Sequence, residues 1–192
     1  MNGYSRAENS HLSPRAFVHA VLRTSPESFP LMVDFYKKFL TATAAYENDF
    51  ISFLRYDEEH HRMAVVAIPN TAPKNHKACG LDHLAFAFDT LRDLVTFYQQ
   101  KKAADIHPIW CINHGPATSI YYQDPDGNKL ETQVDNMDPD SATAFMYSEA
   151  FAKNPIGADF DPEELIRRIE SGEDEASIKK RPDVGPRDVD GY

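Results

Sequence analysis

The sequence lacks any apolar run approaching the roughly 18 residues that a bilayer-spanning helix needs. Its opening stretch, MNGYSRAENSHLSP, is polar where a secretory h-region is apolar. No membrane partner is expected, and a cytoplasmic protein is. Cysteine is scarce: Cys79 and Cys111 are too few for a disulfide framework and lack the CxxC spacing of a structural zinc site. Positive charge is in deficit, with 20 Lys+Arg against 30 Asp+Glu and a net charge of −10, a field that repels phosphate backbones and anionic lipid. Nucleic acid is therefore not an expected partner. The 8 glycines build no phosphate-cradling or dinucleotide loop. Any metal must be held by His and carboxylate.

What is present is a globular composition, 42% hydrophobic and 26% charged over 192 residues, enough for one domain or two small ones. Aromatic and β-branched residues thin out from Asp135 onward while Asp, Glu and Pro accumulate, so the core-forming region spans 15–135. Within it one order of elements runs through twice. AFVHAVLRT reads as a strand. Ser25 offers an N-cap and Pro26 a first helical position. Phe29, Met32, Val33, Tyr36 and Phe39 then fall on one helical face, and the strands ENDFISFLRY and RMAVVAIP follow.

GLDHLAFAF opens the second pass. Thr90 caps a helix with the face Leu91, Leu94, Val95 and Tyr98, and strands around IHPIWCI, ATSIYYQ and NKLETQV complete it, the last two joined by a turn at Asp124-Pro125-Asp126-Gly127. Phe35-Tyr36 recurs as Phe97-Tyr98 and His19 as His83, at nearly equal offsets. The expected fold is α+β: paired βαβββ modules, about 15–70 and 80–135, curling a mixed sheet around a metal-binding cleft. The segment 136–180 is read as a helical extension packing on the core. It holds one well-specified helix, in which Asp161 caps, Pro162 is N1, Glu164 completes a D-x-x-E capping box and Leu165, Ile166 and Ile169 form the stripe. Residues 1–14 and 181–192 are read as flexible or adherent coil.

His19 and His83 sit at equivalent places in the two opening strands. A single buried imidazole there is ordinarily a core residue with a satisfied hydrogen bond. Two, entering one cleft about a pseudo-twofold, are what a metal site requires. In KLETQVD, period-2 alternation by itself calls Glu131 solvent-facing. Its functional reading is an anionic third ligand, giving two imidazoles and one carboxylate, the facial set suited to non-haem Fe(II). Trp110, the two Phe-Tyr pairs, Phe86 and Phe88 read as core or cleft wall. The Asp124–Gly127 turn has the wrong spacing for an EF-hand.

On these residues the chain resembles the vicinal oxygen chelate superfamily (glyoxalase/bleomycin resistance/extradiol dioxygenase), and within it the small single-module type I extradiol dioxygenases. The resemblance covers about 15–170. NHGPATSIYYQDPDGNKLETQVD is similar to the end-of-module signature, and NPIGADFDPEEL to the tail of the short members. It implies metal ligands at His19, His83 and Glu131, from the first, fifth and eighth strands. It also implies an acid/base at His61 or its neighbour His60, a proton or oxygen-intermediate partner at His114, and an orienting hydroxyl at Tyr121; Tyr122 has the opposite strand parity. The glyoxalase branch would add a carboxylate or amide ligand on the fourth strand, and RMAVVAIP has none.

The resemblance thus implies a cytoplasmic Fe(II)-dependent extradiol ring-cleaving dioxygenase, an oxidoreductase taking a catechol-like, biphenyl-2,3-diol-type aromatic and O2. Mn or Zn would also suit the ligand set, and the sequence leaves a homo-oligomer open. Two other readings stand beside it. One is a metal-dependent glyoxalase, isomerase or lyase of the same superfamily; the other is a metal-free small-molecule binding protein of the bleomycin-resistance type.

Overall fold

The structure, a computed structural model, describes residues 12–188. The chain begins with β1 (Ala20–Thr24), α1 (Phe29–Phe39), β2 (Thr43–Glu47), β3 (Ile51–Arg55) and β4 (Met63–Ala67). The same order then repeats as β5 (His83–Ala87), α2 (Leu91–Ala103), β6 (Trp110–Asn113), β7 (Ala117–Gln123) and β8 (Lys129–Asp135). Each unit builds its own mixed sheet, β1-β4-β3-β2 and β5-β8-β7-β6, with the first and fourth strands parallel. We call these sheet A and sheet B. After β8 come α3 (Pro139–Met146), α4 (Glu149–Lys153), β9 (Ala158–Asp159), α5 (Pro162–Glu170) and α6 (Glu175–Lys179). β9 adds a fifth strand to sheet B along β6.

The helix faces marked by the 3.6-residue period are the faces that pack. Phe29, Met32, Val33, Tyr36 and Phe39 of α1 are buried, as are Leu91, Leu94, Val95 and Tyr98 of α2. Both helices and the helix-covered sides of both sheets share one core. Phe39 brings its ring to 5.2 Å from that of Phe97 and 5.1 Å from that of Tyr122, so a helix of the first repeat packs against the second. Two buried polar links reinforce that contact. The Tyr36 hydroxyl donates to Asp124 at 2.8 Å, and Lys101 Nζ donates to the Lys38 carbonyl at 2.6 Å. Because the helix-covered sides meet, the opposite face of each sheet is left open.

Several elements differ from their sequence expectation. The first strand starts at Ala20, not upstream, because its ladder with β4 begins at the Ala20–Met63 pair. Ahead of it Arg62 donates instead to the Val18 carbonyl at 3.0 Å. α1 starts at Phe29 with Ser28 as its N-cap, since the Ser25 hydroxyl accepts from Ser28 N and closes a turn first. Beyond 135 the chain has four short helices and a strand where one helix was read. Asp138, Ser148 and Asp174 cap three of them by accepting backbone N–H bonds. Asp161 does cap α5, but Glu164 turns to Arg167 and does not close the reciprocal box. Residues 1–11 and 189–192, which carry most of the expected terminal coil, lie outside the described residues. Among the described residues no helix is long and apolar enough to cross a membrane.

Candidate metal centre

The open face of sheet B is assembled by register. β5 runs parallel to β8 with His83 opposite Lys129 and Ala85 opposite Glu131, so His83 and Glu131 point the same way, one step apart diagonally. β7 sets Tyr121 opposite Glu131, and β6 sets Trp110 opposite Tyr121. One row across the sheet therefore carries Ala85, Glu131, Tyr121 and Trp110, with His83 at its corner. His83 Nε2 lies 3.0 Å from Glu131 Oε2. Its Nδ1 lies 2.8 Å from Asp82 Oδ2.

Glu131 is buried, against the solvent-facing position that alternation alone assigns it. It is flanked by His83 from β5 and by Tyr121, its register partner on β7. Beside it Ile156 packs with Ile112, Tyr121 and Trp110 over the open face, a second small apolar cluster that strand period could not foresee. Trp110 stacks on Tyr121 at 5.1 Å and donates its indole N–H to Asp159 at 2.8 Å.

His114, in the β6–β7 turn, has its tautomer fixed by its partners. Its Nδ1 faces the Ile156 carbonyl at 2.5 Å, an atom that can only accept, so Nδ1 carries the proton. Nε2 is then an acceptor, and the Tyr121 hydroxyl donates to it at 3.1 Å. His83 has a carboxylate acceptor at each ring nitrogen, and a neutral imidazole has one proton for the two; in the tautomer whose Nδ1–H donates to Asp82, Nε2 is free to bind a cation beside the Glu131 carboxylate. Two lone-pair donors so placed are suited to a cation.

The open face of sheet A carries a second cluster. The His19 ring lies 4.4 Å from that of His61, which in turn lies 4.8 Å from Phe53 on β3. His60 and His61 bring their Nδ1 atoms to 2.5 Å, so one of them is the donor. Burial, then the neighbouring His19 and His60, hold the His61 imidazole below its ordinary range and keep it neutral. Thus His83, Glu131, Tyr121 and His114 are together on one sheet, while His19, His60 and His61 are together on the other. Among the described residues no three His, Cys, Asp or Glu side chains gather at metal-holding distance. The donor chemistry fits a divalent metal ion, and of the expected ligands the structure places His83 and Glu131 side by side. Burial raises the Cys111 thiol to about 12, which removes it as a ligand or nucleophile at neutral pH.

Sequence reasoning missed Asp82 and the Ile156 carbonyl as supports of this site, whereas Trp110 stands as the cleft wall it was read to be. Asp82 had a signal, since a carboxylate directly before a metal-candidate His is placed to orient the ring.

The fold agrees with comparisons to known proteins. A biphenyl-2,3-diol 1,2-dioxygenase of Rhodococcus globerulus is 44% identical over 158 residues, 81% of this chain and 82% of that one. A second such dioxygenase from the same organism is 39% identical over 88% of this chain and 90% of its own. Among solved structures, a glyoxylase/bleomycin resistance protein/dioxygenase domain from Frankia has a TM-score of 0.53 at 16% identity, covering 64% of this chain and 99% of that one. A glyoxalase-type protein from Bacillus halodurans reaches 0.51 at 14% identity over 62% and 96%. These two show the fold alone. The sequence signature of the Glyoxalase/Bleomycin resistance protein/Dioxygenase superfamily matches residues 17–132, more than half of the chain, and the protein belongs to that superfamily.

Proposed function

We propose that the protein is an Fe(II)-dependent extradiol dioxygenase that opens the ring of a biphenyl-2,3-diol-like catechol with O2, in the cytoplasm. The observation that carries this reading is the 44% identity to a biphenyl-2,3-diol 1,2-dioxygenase over four-fifths of both chains. The His83–Glu131 pair supports it, with His19 as the third ligand. Iron held there supplies the positive charge that favours the diolate and the electron that O2 activation requires. The protein's own groups do the rest. His61, its imidazole held below its ordinary range, accepts a diol proton at Nε2 in the tautomer whose Nδ1–H donates to His60. The Tyr121 hydroxyl, paired with His114 Nε2, orients a substrate oxygen beside Glu131.

Metal content after anaerobic iron loading, followed by a colour assay with 2,3-dihydroxybiphenyl, tests the reading. About one iron per wild-type chain and a yellow ring-fission product are expected, with iron lost in Glu131→Gln. Tight zinc, manganese or nickel and no ring cleavage would instead indicate an isomerase, lyase or glyoxalase. No metal in either protein would leave a binding module.

A further inference from the structure

From residue 181 to 188 the chain forms neither helix nor strand, yet one side chain in this coil is firmly engaged. Arg181 Nη1 donates to the Asn154 carbonyl at 2.8 Å and to the His114 carbonyl at 3.2 Å, and Nη2 donates to the Ala150 carbonyl at 3.2 Å. The guanidinium lies over the Phe145 ring of α3, 5.0 Å from its centroid. That ring in turn rests on the backbone of Gly115, where an added Cβ would stand 2.6 Å from it. A planar fork with donors on both terminal nitrogens holds several acceptors and a flat ring at once, which an ammonium on a flexible stem does not.

The partners of Arg181 belong to two segments that meet at one hydrogen bond. His114 and Gly115 lie in the turn between β6 and β7, and Ala150 and Asn154 lie at the end of α4, where carbonyls lack helical partners. The Asn154 side chain accepts from Ile156 N at 3.1 Å and from Gly157 N at 2.7 Å, and so sets the peptide whose carbonyl accepts the His114 Nδ1 proton. Arg181 therefore grips both sides of that bond, the main chain of the histidine and the segment carrying its acceptor. Asp183, two residues on, pairs with Lys153 instead.

We infer that Arg181 is a positioning residue for His114: by clamping the end of α4 to the β6–β7 turn it keeps the imidazole in the tautomer that leaves Nε2 as acceptor for Tyr121. This rests on the role proposed above for His114 and Tyr121, and its test separates the two. Neither residue is a metal ligand in that reading, so loss of the clamp should leave metal content unchanged.

Arg181→Ala is compared with the wild type by two readouts. The first is nitrogen NMR of the imidazoles in the full-length chain, with the His114 signals identified by their loss in His114→Ala. Wild-type His114 should be protonated at Nδ1 alone, and in Arg181→Ala its signals should move toward an average of the two tautomers. The second is steady-state turnover of 2,3-dihydroxybiphenyl by the iron-loaded protein. kcat should fall about 10-fold with KM and iron content unchanged, the scale of a small misplacement beside a reacting group. In a His114→Ala background Arg181→Ala should cost nothing further. Asp183→Asn, which removes a neighbouring anchor of the same segment, should match the wild type in both readouts.

An unchanged His114 tautomer in Arg181→Ala, the same loss of kcat with and without His114, or an equal loss in Asp183→Asn overturns the inference. Full turnover in His114→Ala refutes instead the role of His114 in the reaction, and the imidazole signals then decide Arg181. If Arg181→Ala does not fold, Arg181→Lys takes its place. It keeps the charge and loses the fork, so a wild-type tautomer and kcat there overturn the inference, and a shifted tautomer with lowered kcat supports it.

Discussion

A histidine between two carboxylates is informative because it has only one proton to give when neutral. His83 has Asp82 at one ring nitrogen and Glu131 at the other, so a proton given to Asp82 leaves Nε2 free to share a cation with Glu131. The repeat made the equivalent positions of His19 and His83 legible but not their separation, since His19 lies with His60 and His61 and His83 with Glu131 on the other sheet; strand parity separated Tyr121 from Tyr122, which lies in the core with its hydroxyl buried. The burial of Glu131 was not legible, because alternation along one strand does not show that His83 and Tyr121 on the neighbouring strands flank it. Other single residues act on stability alone. Glu173 takes two bonds from Arg168, at 2.8 and 2.6 Å, and one from the Ser177 hydroxyl, which lower its carboxyl from an ordinary 4.5 to about 2. A folded value below the unfolded one stabilises the native state above pH 4.5, and that contribution is lost as pH falls toward about 2. Glu173→Gln should therefore flatten the dependence of Tm on pH between about 4.5 and 2 while leaving neutral-pH metal content unchanged. Thermal melts across that range check it, and an unaltered slope would refute the ion-pair account.

At the scale of elements, the first two-thirds of the chain was readable, and of the tail only α5 was, through its Asp161 cap, Pro162 and short apolar stripe. α1 and α2 announced themselves through eleven and thirteen residues of clear periodicity. The other tail helices have five to eight residues, too short for period to distinguish them from coil, although their Asp and Ser caps were in plain sight. β9 has two residues and exists because Gly157 lets the chain approach β6. At Gly157, with φ +131°, an added Cβ would stand 2.4 Å from the Asn113 carbonyl oxygen and 3.0 Å from His114 Cα, both backbone. Neither neighbour can move aside as a side chain end could. Gly157→Ala is expected to destabilise the fold by about 2 kcal/mol or more. It should also displace the Ile156 carbonyl that holds His114, lowering turnover more than metal content. Denaturant unfolding and elemental analysis measure the two effects. A variant with native stability and turnover would show that the β6–β9 approach is not constrained as described.

For the whole molecule, duplication explains the design of the core and the tail explains its completion. Two βαβββ units share helix-covered faces, yet only sheet B has its outer strand covered, by β9, and its open face roofed, by Ile156. α5 lies against α2, with Leu165 and Ile166 buried, and Ile178 of α6 joins the same core. Tyr98 and Lys102 both donate to Glu163, each at 2.6 Å, tying the helices at their rim. Removing everything after residue 137 would expose the partners of four buried aliphatic side chains, Ile156, Leu165, Ile166 and Ile178. At about 1.5–3 kcal/mol for each, the loss is of order 6–12 kcal/mol, comparable with the entire stability of an ordinary domain. The truncated chain should therefore lose its fixed core rather than merely its tail. Near-ultraviolet circular dichroism, which reports the packing of Trp110 against Tyr121, should collapse, and the heat-induced transition should lose its cooperativity. A truncated protein that keeps that signal and melts cooperatively within a few degrees of the full chain would mean that the two repeats suffice for the fold. The tail would then serve only to cover Trp110 and Tyr121 and fix His114.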